Sequence, residues 1–515
     1  MKNRNLNSLY LSLTVVILMM MSSCQNSTQV YDGNIKGYEI LTPTPGTQPG
    51  INGPLVYGSR PGNPFLYRIP CHGERPVSFS IDGLPSGLTL DSSTGIITGK
   101  TPLTGEYKLI LKAKNSHGKD ERTFKIIAGE MLALTPSMGW NHWYAHYWNI
   151  SDSMVREAAD IMINSGMADV GYQYVNIDDC WMLKKTDSLR MEQLRDVNGN
   201  PIPNKKFPDM KGLTDYIHSK GLKAGIYSSP GPLTCAGFLG SYQHEEQDAK
   251  QYADWGFDFL KYDWCSYRTI AGNKPDIEAA KLPFQMMGNF LKSQDRDIVY
   301  NLCQYGMNDV WKWGAQIGGH SWRTSGDLGY ELDKVFDVAL RNAEHREFSK
   351  PGAWNDPDYI QIGWFGNARN FSEPEKASMA PATQYAYMSL WSLMASPLFY
   401  SGDMSKLDDF TLNILCNTEV IEVNQDPLGE SGAVIQQPDS CFLMVKNLID
   451  GSRSVGLFNR GEEPAEITVL WEELNINGRK KIRDLWRQKD IGRFNHNFKA
   501  IVPARGVVMV KISKI

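Results

Sequence analysis

The stretch Phe257-Asp258-Phe259-Leu260-Lys261-Tyr262-Asp263-Trp264-Cys265 reads as a short apolar strand that ends in a carboxylate. A carboxylate at the C-terminal end of a buried strand is where a (β/α)8 barrel keeps its chemistry. Lys261 and Asp263 lie two apart, so their side chains share one face of the strand. A cation there lowers the pKa of Asp263 and keeps it ionised, as a nucleophile requires. The plainer alternative is a structural ion pair.

A second stretch, Ser321-Trp322-Arg323-Thr324-Ser325-Gly326-Asp327, has the same plan. Asp327 follows Arg323 by four positions and can protonate a leaving oxygen if burial raises its pKa. Arg323 can orient it or bind substrate. Two carboxylates on separate strands suit glycoside hydrolysis, which needs one acid and one nucleophile or base.

Outward from these, residues 130–425 alternate short apolar strands with amphipathic helical stretches. The strands are Tyr174 to Ile177, Ala224 to Tyr227, Phe259 to Tyr262 and Ile298 to Leu302, and helices are expected over Met154 to Ser165 and Met210 to Lys220. About 300 residues of this pattern fit a (β/α)8 TIM barrel with insertions. A doubly wound sheet is the alternative, but no Gly-rich phosphate loop supports it. The strand at Tyr174 runs into Asp178-Asp179-Cys180-Trp181. Paired carboxylates beside Trp could bind a metal, share a proton or grip vicinal sugar hydroxyls; further metal ligands are not evident nearby, and a helix cap is the bland reading. His142 and His146 have i, i+4 spacing but no clear third ligand, and Trp140, Trp143, Tyr144, Tyr147 and Trp148 surround them. They read as rim or core histidines.

Residues 51–129 read as small strands divided by Gly and Pro, an Ig-like β-sandwich. From 426 to 515 strands return without helices, at Cys441 to Val445, Ser454 to Phe458, Ile467 to Leu470 and Val507 to Ile512. This reads as a C-terminal antiparallel β-sandwich. The chain is 515 residues long, too much for one core. Its net charge of −4 gives no electrostatic case for nucleic acid. Its 14 Trp and 23 Tyr suit sugar stacking but also fill cores.

At the N-terminus, Lys2 and Arg4 precede an apolar run from Leu9 to Met21 and then Ser22-Ser23-Cys24. The run is too short to span a bilayer and has the layout of a signal peptide over 1–23. The Ser-Ser-Cys ending resembles a bacterial lipobox, with Cys24 as the lipidated residue. The alternative is an ordinary cleaved signal. Residues 24–50 then read as a linker. The expected place is the cell envelope, on the periplasmic face of a membrane, attached only through the lipid. Removing Cys24 from eight cysteines leaves seven, so at least one stays unpaired. No CxxC, HExxH or GxGxxG is present, so no metal or cofactor is expected.

Several ordered stretches resemble glycoside hydrolase family 27, the α-galactosidases and α-N-acetylgalactosaminidases. They are Leu134 to Asn141, Val175 to Trp181, Gly225 to Ser228, Thr234 to Phe238, Leu260 to Asp263, Trp322 to Asp327, Trp354 to Asp358 and Asn424 to Gly429. The GLPxGLxLD…GxIxG pattern at 83–99 resembles Ig-like modules of secreted bacterial enzymes, which suggests a spacer or docking domain. The family resemblance implies a retaining exo-hydrolase that releases terminal α-galactose through a covalent glycosyl-enzyme. Asp263 takes the nucleophile position and Asp327 the acid/base position. Asp178 and Asp179 would hold the sugar's O6 and O4, Lys261 would sit near O3 and O4, and Arg323 and Asp358 near O2. Trp140 and Tyr227 would form walls. Cys235 and Cys265 match a disulfide at the pocket floor.

The chain departs from the family pattern at three places. Gln304 stands where Glu is common near O2, Tyr359 where Met is common, and Ser229-Pro230 replaces an Asp-containing turn. A β-L-arabinopyranosidase or an α-N-acetylgalactosaminidase on the same scaffold is the alternative, and a non-catalytic sugar-binding lipoprotein is the rival from another class.

Overall fold

The computed structural model describes residues 30–186, 190–329, 332–366 and 374–515. Cys24 and the apolar run before it lie outside the described residues.

The centre of the molecule is a parallel barrel. Its strands are β1 (Met138–Asn141), β2 (Tyr174–Asn176), β3 (Lys223–Ser228), β4 (Phe259–Asp263), β5 (Val299–Cys303), β6 (Ser321–Arg323), β7 (Trp354–Asp356) and β8 (Leu398–Tyr400). Hydrogen bonding runs in sequence order from β1 to β7, and β8 returns to pair with β1. Ile360, just past β7, bridges Tyr400 in parallel and joins the two ends. All residues of β3, β4 and β5 are buried, as expected of strands covered on both faces. This is a TIM-type barrel and settles the doubly wound alternative.

The helices outside the barrel start where the sequence supplies caps. Ser151 accepts from the Met154 amide, Asp209 from that of Gly212 and Asp276 from that of Ala279. They open α1 (Asp152–Asn164), α2 (Met210–Ser219) and α4 (Ile277–Lys292), with α3 (Glu245–Trp255) between the last two. A capping side chain satisfies an amide that the helix itself cannot. Helix α5 (Val335–Ala343) and helix α6 (Pro381–Leu393) follow. Almost every side chain of α6 is buried, because it lies between the barrel and the C-terminal domain.

The C-terminal domain packs a six-stranded sheet on a three-stranded one around Leu443, Val455, Leu457, Val469, Phe498 and Val510. One strand of the smaller sheet comes from the other end of the chain. Val30–Asp32 pairs in parallel with Asn497–Val502, and the Tyr31 hydroxyl donates to Asp484 Oδ2 at 2.6 Å. Farther on, Asn413 Nδ2 donates to the Thr42 carbonyl and the Leu41 amide to the Tyr385 hydroxyl. The linker reading of residues 24–50 is corrected for this part: it covers a sheet edge that would otherwise stand unpaired.

The Ig-like sandwich has a four-stranded and a three-stranded sheet around Tyr67, Phe79, Ile97, Leu111 and Phe124. It is docked on the N-terminal face of the barrel. Arg60 Nε pairs with Asp297 Oδ1 at 2.9 Å, and Ser59 and Asn63 donate to the same carboxylate at 2.7 Å. The Arg60 guanidinium also donates to the carbonyls of Lys292, Gln294 and Arg296 at the end of α4. Behind this seam the buried Lys223, first residue of β3, meets the Tyr57 hydroxyl and lies over its ring.

Candidate active site

At the C-terminal face of the barrel, a cavity of about 230 Å³ is lined by Trp143, Tyr144, Tyr147, Cys235, Lys261, Asp263, Tyr305, Arg323, Asp327, Asp358 and Tyr359. These residues come from the ends of β3 to β7 and the loop after β1, the arrangement by which such barrels assemble sites.

Asp263 ends β4 and is buried. Its Oδ2 accepts from the Tyr227 hydroxyl at 3.1 Å and its Oδ1 from the Tyr305 hydroxyl at 2.6 Å. Lys261 does not bond it. The Lys261 Nζ bonds Asp178 Oδ2 at 2.8 Å instead. Burial pushes the pKa of Asp263 up to about 6, against the pull of the Lys261 charge and with the push of Asp327. The expectation that a neighbouring cation sets a low value is therefore corrected: desolvation outweighs it.

Asp327 lies in the loop after β6. Its Oδ1 accepts from Arg323 at 3.1 Å, and its side chain is 46 % exposed. The burial expected to tune it is not supplied here. What is buried is the frame behind it. Asp358 Oδ2 accepts from Arg323 at 3.1 Å, the Tyr144 hydroxyl at 2.8 Å and the Leu328 amide at 2.8 Å. Asp358 has a φ of 113°, which an L-residue keeps only where its surroundings over-determine it. Trp391 Nε1 on α6 bonds its carbonyl, and the Tyr387 hydroxyl bonds that of Tyr359. Helix α6 thus fixes the turn that orients Arg323 and the amide beside Asp327.

Asp178 and Asp179 are buried behind the cavity rather than in its wall. Asp178 Oδ2 takes donors from Lys261, from Asn141 Nδ2 at 2.9 Å and from the Tyr359 hydroxyl at 3.2 Å, and Oδ1 takes the Asp179 amide. Burial opposes its ionisation, but Lys261 and the other donors hold its pKa below the usual range. Asp179 accepts from the amides of Cys180 and Ala236, and burial pushes it up to about 7. These contacts orient Lys261, Tyr359 and the loop bearing Cys235. The indole N–H of Trp140 bonds the Gly402 carbonyl, and the Tyr227 hydroxyl bonds Asp263. Gln304 donates to the Met307 carbonyl, and its buried Oε1 has no hydrogen-bond partner among the described residues.

Cys235 and Cys265 form the disulfide, which ties the loop after β3 to the residue two past Asp263. Cys71, Cys180, Cys303, Cys416 and Cys441 are free. His142 takes the Asp178 amide on Nδ1 and bonds the Tyr147 carbonyl through Nε2, so both ring nitrogens are used within the core. The cavity wall holds four aromatic residues given no role from sequence: Trp143, Tyr144, Tyr147 and Tyr305. The dense aromatic run at 140–148 was the signal for three of them.

An α-galactosidase A family profile matches residues 135–426, its C-terminal β-sandwich profile 439–512 and an Ig-domain profile 48–128. An α-galactosidase of Oryza sativa is 38 % identical over 69 % of this chain and 79 % of its own. α-Galactosidase A of Cellvibrio japonicus is 34 % identical over 75 % and 93 %. The crystal structure of α-galactosidase I from Mortierella vinacea superposes with a TM-score of 0.67 at 32 % identity, covering 74 % of this chain and 97 % of that one. With the two carboxylates in one cavity at the end of the barrel, these matches place the chain in glycoside hydrolase family 27, the α-galactosidases, with an Ig-like module in front of the catalytic barrel.

Proposed function

We propose that this α-galactosidase is a retaining, exo-acting enzyme that removes terminal α-linked galactose from oligosaccharides or polysaccharides. The observation that carries it is the pair Asp263 and Asp327 on the wall of one small cavity, the first buried and pinned, the second open to solvent. A buried, oriented carboxylate suits a nucleophile, and an accessible one suits a group that meets a leaving group and then water. Asp263 attacks the anomeric carbon as Asp327 gives its proton to the departing oxygen. Water then takes the place of Asp263, passing its proton to Asp327. A cavity of about 230 Å³ suits one sugar ring rather than a chain interior. Lys261, Arg323 and Tyr359 offer hydrogen bonds to ring hydroxyls.

The test is a panel of 4-nitrophenyl glycosides with Asp263→Asn as control. Release from the α-galactoside that is lost in the variant supports the reading. Preference for the β-L-arabinopyranoside or the α-N-acetylgalactosaminide moves the glycone and keeps the mechanism. Unchanged turnover in Asp263→Asn removes the nucleophile assignment. We further propose that the chain is a lipoprotein held through Cys24 on the periplasmic face of a membrane. Loss of membrane association in Cys24→Ala tests the anchor, and protease resistance in intact cells tests the face.

A further inference from the structure

We propose that Tyr305 is a positioning residue for the nucleophile: its hydroxyl holds the substrate-facing oxygen of Asp263 and receives that carboxylate again when the glycosyl-enzyme is hydrolysed. The inference rests on the reading of Asp263 as nucleophile.

The two hydroxyls bond different oxygens of Asp263, Tyr227 the Oδ2 and Tyr305 the Oδ1. Tyr227 belongs to β3, is 1 % exposed and forms no part of the cavity wall. Tyr305 follows β5 and lines the cavity. Tyr227 therefore pins the rear oxygen and Tyr305 the front one. The last torsion of an Asp side chain is broad, so a carboxylate without such pins would sample many orientations. The front bond is the shorter, 2.6 Å against 3.1 Å, in the range of a charge-assisted O–H···O⁻ bond.

Tyr305 is itself held in a costly conformation. Its φ is 64°, and Gly306, Asn308 and Asp309 after it have φ of 81°, 51° and 54°. For non-glycine residues this region is sterically disfavoured, because Cβ crowds the following carbonyl oxygen. The loop persists because it is braced. Gln304 Nε2 bonds the Met307 carbonyl, Trp313 Nε1 bonds the Asn308 carbonyl, and Trp311 stacks on His345 at 3.6 Å. A Cβ on Gly306 would stand 2.5 Å from the Thr324 carbonyl, so the loop lies against the exit of β6. Local strain held in place by its surroundings at the mouth of a site points to a positioning role.

The chemistry gives that role a direction. A carboxylate oxygen has two lone pairs, so Oδ1 can accept from Tyr305 and still attack. In the first step the bond from Oδ1 to the anomeric carbon forms as the bond to the leaving oxygen breaks, and Asp327 supplies the proton. The charge on Asp263 disappears and its bond from Tyr305 weakens. In the second step water bonds the anomeric carbon, the bond to Oδ1 breaks, and Asp327 takes the water proton. The carboxylate leaves with its charge restored, and the Tyr305 hydroxyl meets it at full strength. Tyr305 thus favours the second step over the first.

Removing the hydroxyl should therefore slow breakdown of the intermediate more than its formation. In Tyr305→Phe, kcat on 4-nitrophenyl α-galactoside should fall about tenfold and KM should fall with it. A burst of nitrophenol equal to the enzyme present should appear. The groups facing Asp263 are Lys261 on its own strand, Asp178 after β2, Tyr227 on β3, Cys303 on β5, Asp327 after β6 and Tyr305. With the others unchanged, loss of a donor to the ionised form raises the acid limb of kcat/KM by about one pH unit. Tyr305→Met serves as a second hydroxyl-free variant where Phe packs badly, and should move kcat, KM and the limb the same way. Kinetics and acid limb like those of the unmodified enzyme in a folded variant overturn the inference, whatever happens to the melting temperature. Turnover in Asp263→Asn overturns the nucleophile reading itself, and the inference with it.

Discussion

Strand β4 carries buried charge at both of its ends, and the two ends are built differently. At the floor, Asp258 just before β4 is bonded by His218, by Arg296 and by the Ala224 amide, with Lys223 near it. Burial opposes its ionisation, yet those cations hold its pKa below the usual carboxylate range. The Ig-like module closes the floor from outside. At the top, Asp263 has only two neutral hydroxyls for donors, a lysine engaged elsewhere and a second carboxylate in the same cavity, and its pKa rises to about 6. Ionised Asp258 stabilises the fold; ionised Asp263 destabilises it. A site can tolerate such a cost where the reaction needs the charge. The difference also teaches that buried ion pairs by themselves do not mark a site. Lys223 and Lys261 are both buried and both line cavities, and only the second does so at the C-terminal end of the barrel, where such folds carry their chemistry.

The contrast can be broken by substitution. The largest effect is expected at Asp263→Asn, with kcat on the α-galactoside down about 10⁴-fold or more while circular dichroism is unchanged. Next is stability. Asp258→Asn leaves His218 and Arg296 without their carboxylate and should cost about 3 kcal/mol, read by urea unfolding, with kcat per folded molecule preserved. Asp263→Asn should do the opposite. Its folded pKa of about 6 lies above the unfolded value of roughly 3.9. The folded state therefore holds the extra proton, and stability falls as pH rises from about 4 to 6. The variant should be more stable than the unmodified enzyme at pH 7 and equal to it near pH 4.

The two lysines sharpen the comparison. Lys261→Met should lower kcat/KM about 10²-fold, because Asp178 loses its cation and the cavity a donor. Lys223→Met should leave kcat/KM within about twofold and stability within about 1 kcal/mol, because its direct contacts are a hydroxyl and two rings and Asp258 keeps His218 and Arg296. The smallest effect is in the pH profile of the unmodified enzyme. An ionised nucleophile with pKa about 6 gives kcat/KM an acid limb near pH 6, below which it falls tenfold per unit.

Much of the architecture was legible in the sequence. The barrel strands announce themselves because both faces are apolar, and their polar ends name Asp178, Lys261, Asp263, Arg323 and Asp358. Three things were not legible. Lys261 shares a face with Asp263, yet its Nζ goes to Asp178 just after β2, a choice made by closure of the barrel and not by spacing along one strand. Tyr305 carries no signal in the sequence, but a left-handed backbone at this residue goes with a tyrosine on the cavity wall and a glutamine before it bonded within the loop. The strand Val30–Asp32 is three residues in a polar stretch, and only its partner at Asn497–Val502 makes it a strand.

The central claim is that the top of β4 is the reacting end and that Asp263 bonds the sugar. It is tested most directly by incubating the enzyme with a 2-deoxy-2-fluoro-α-galactosyl donor bearing a good leaving group, then mapping the labelled peptide by mass spectrometry. The account predicts one fluorogalactosyl group per chain, on Asp263, with activity lost in proportion. A label on another residue, or inactivation without any covalent label, would contradict it.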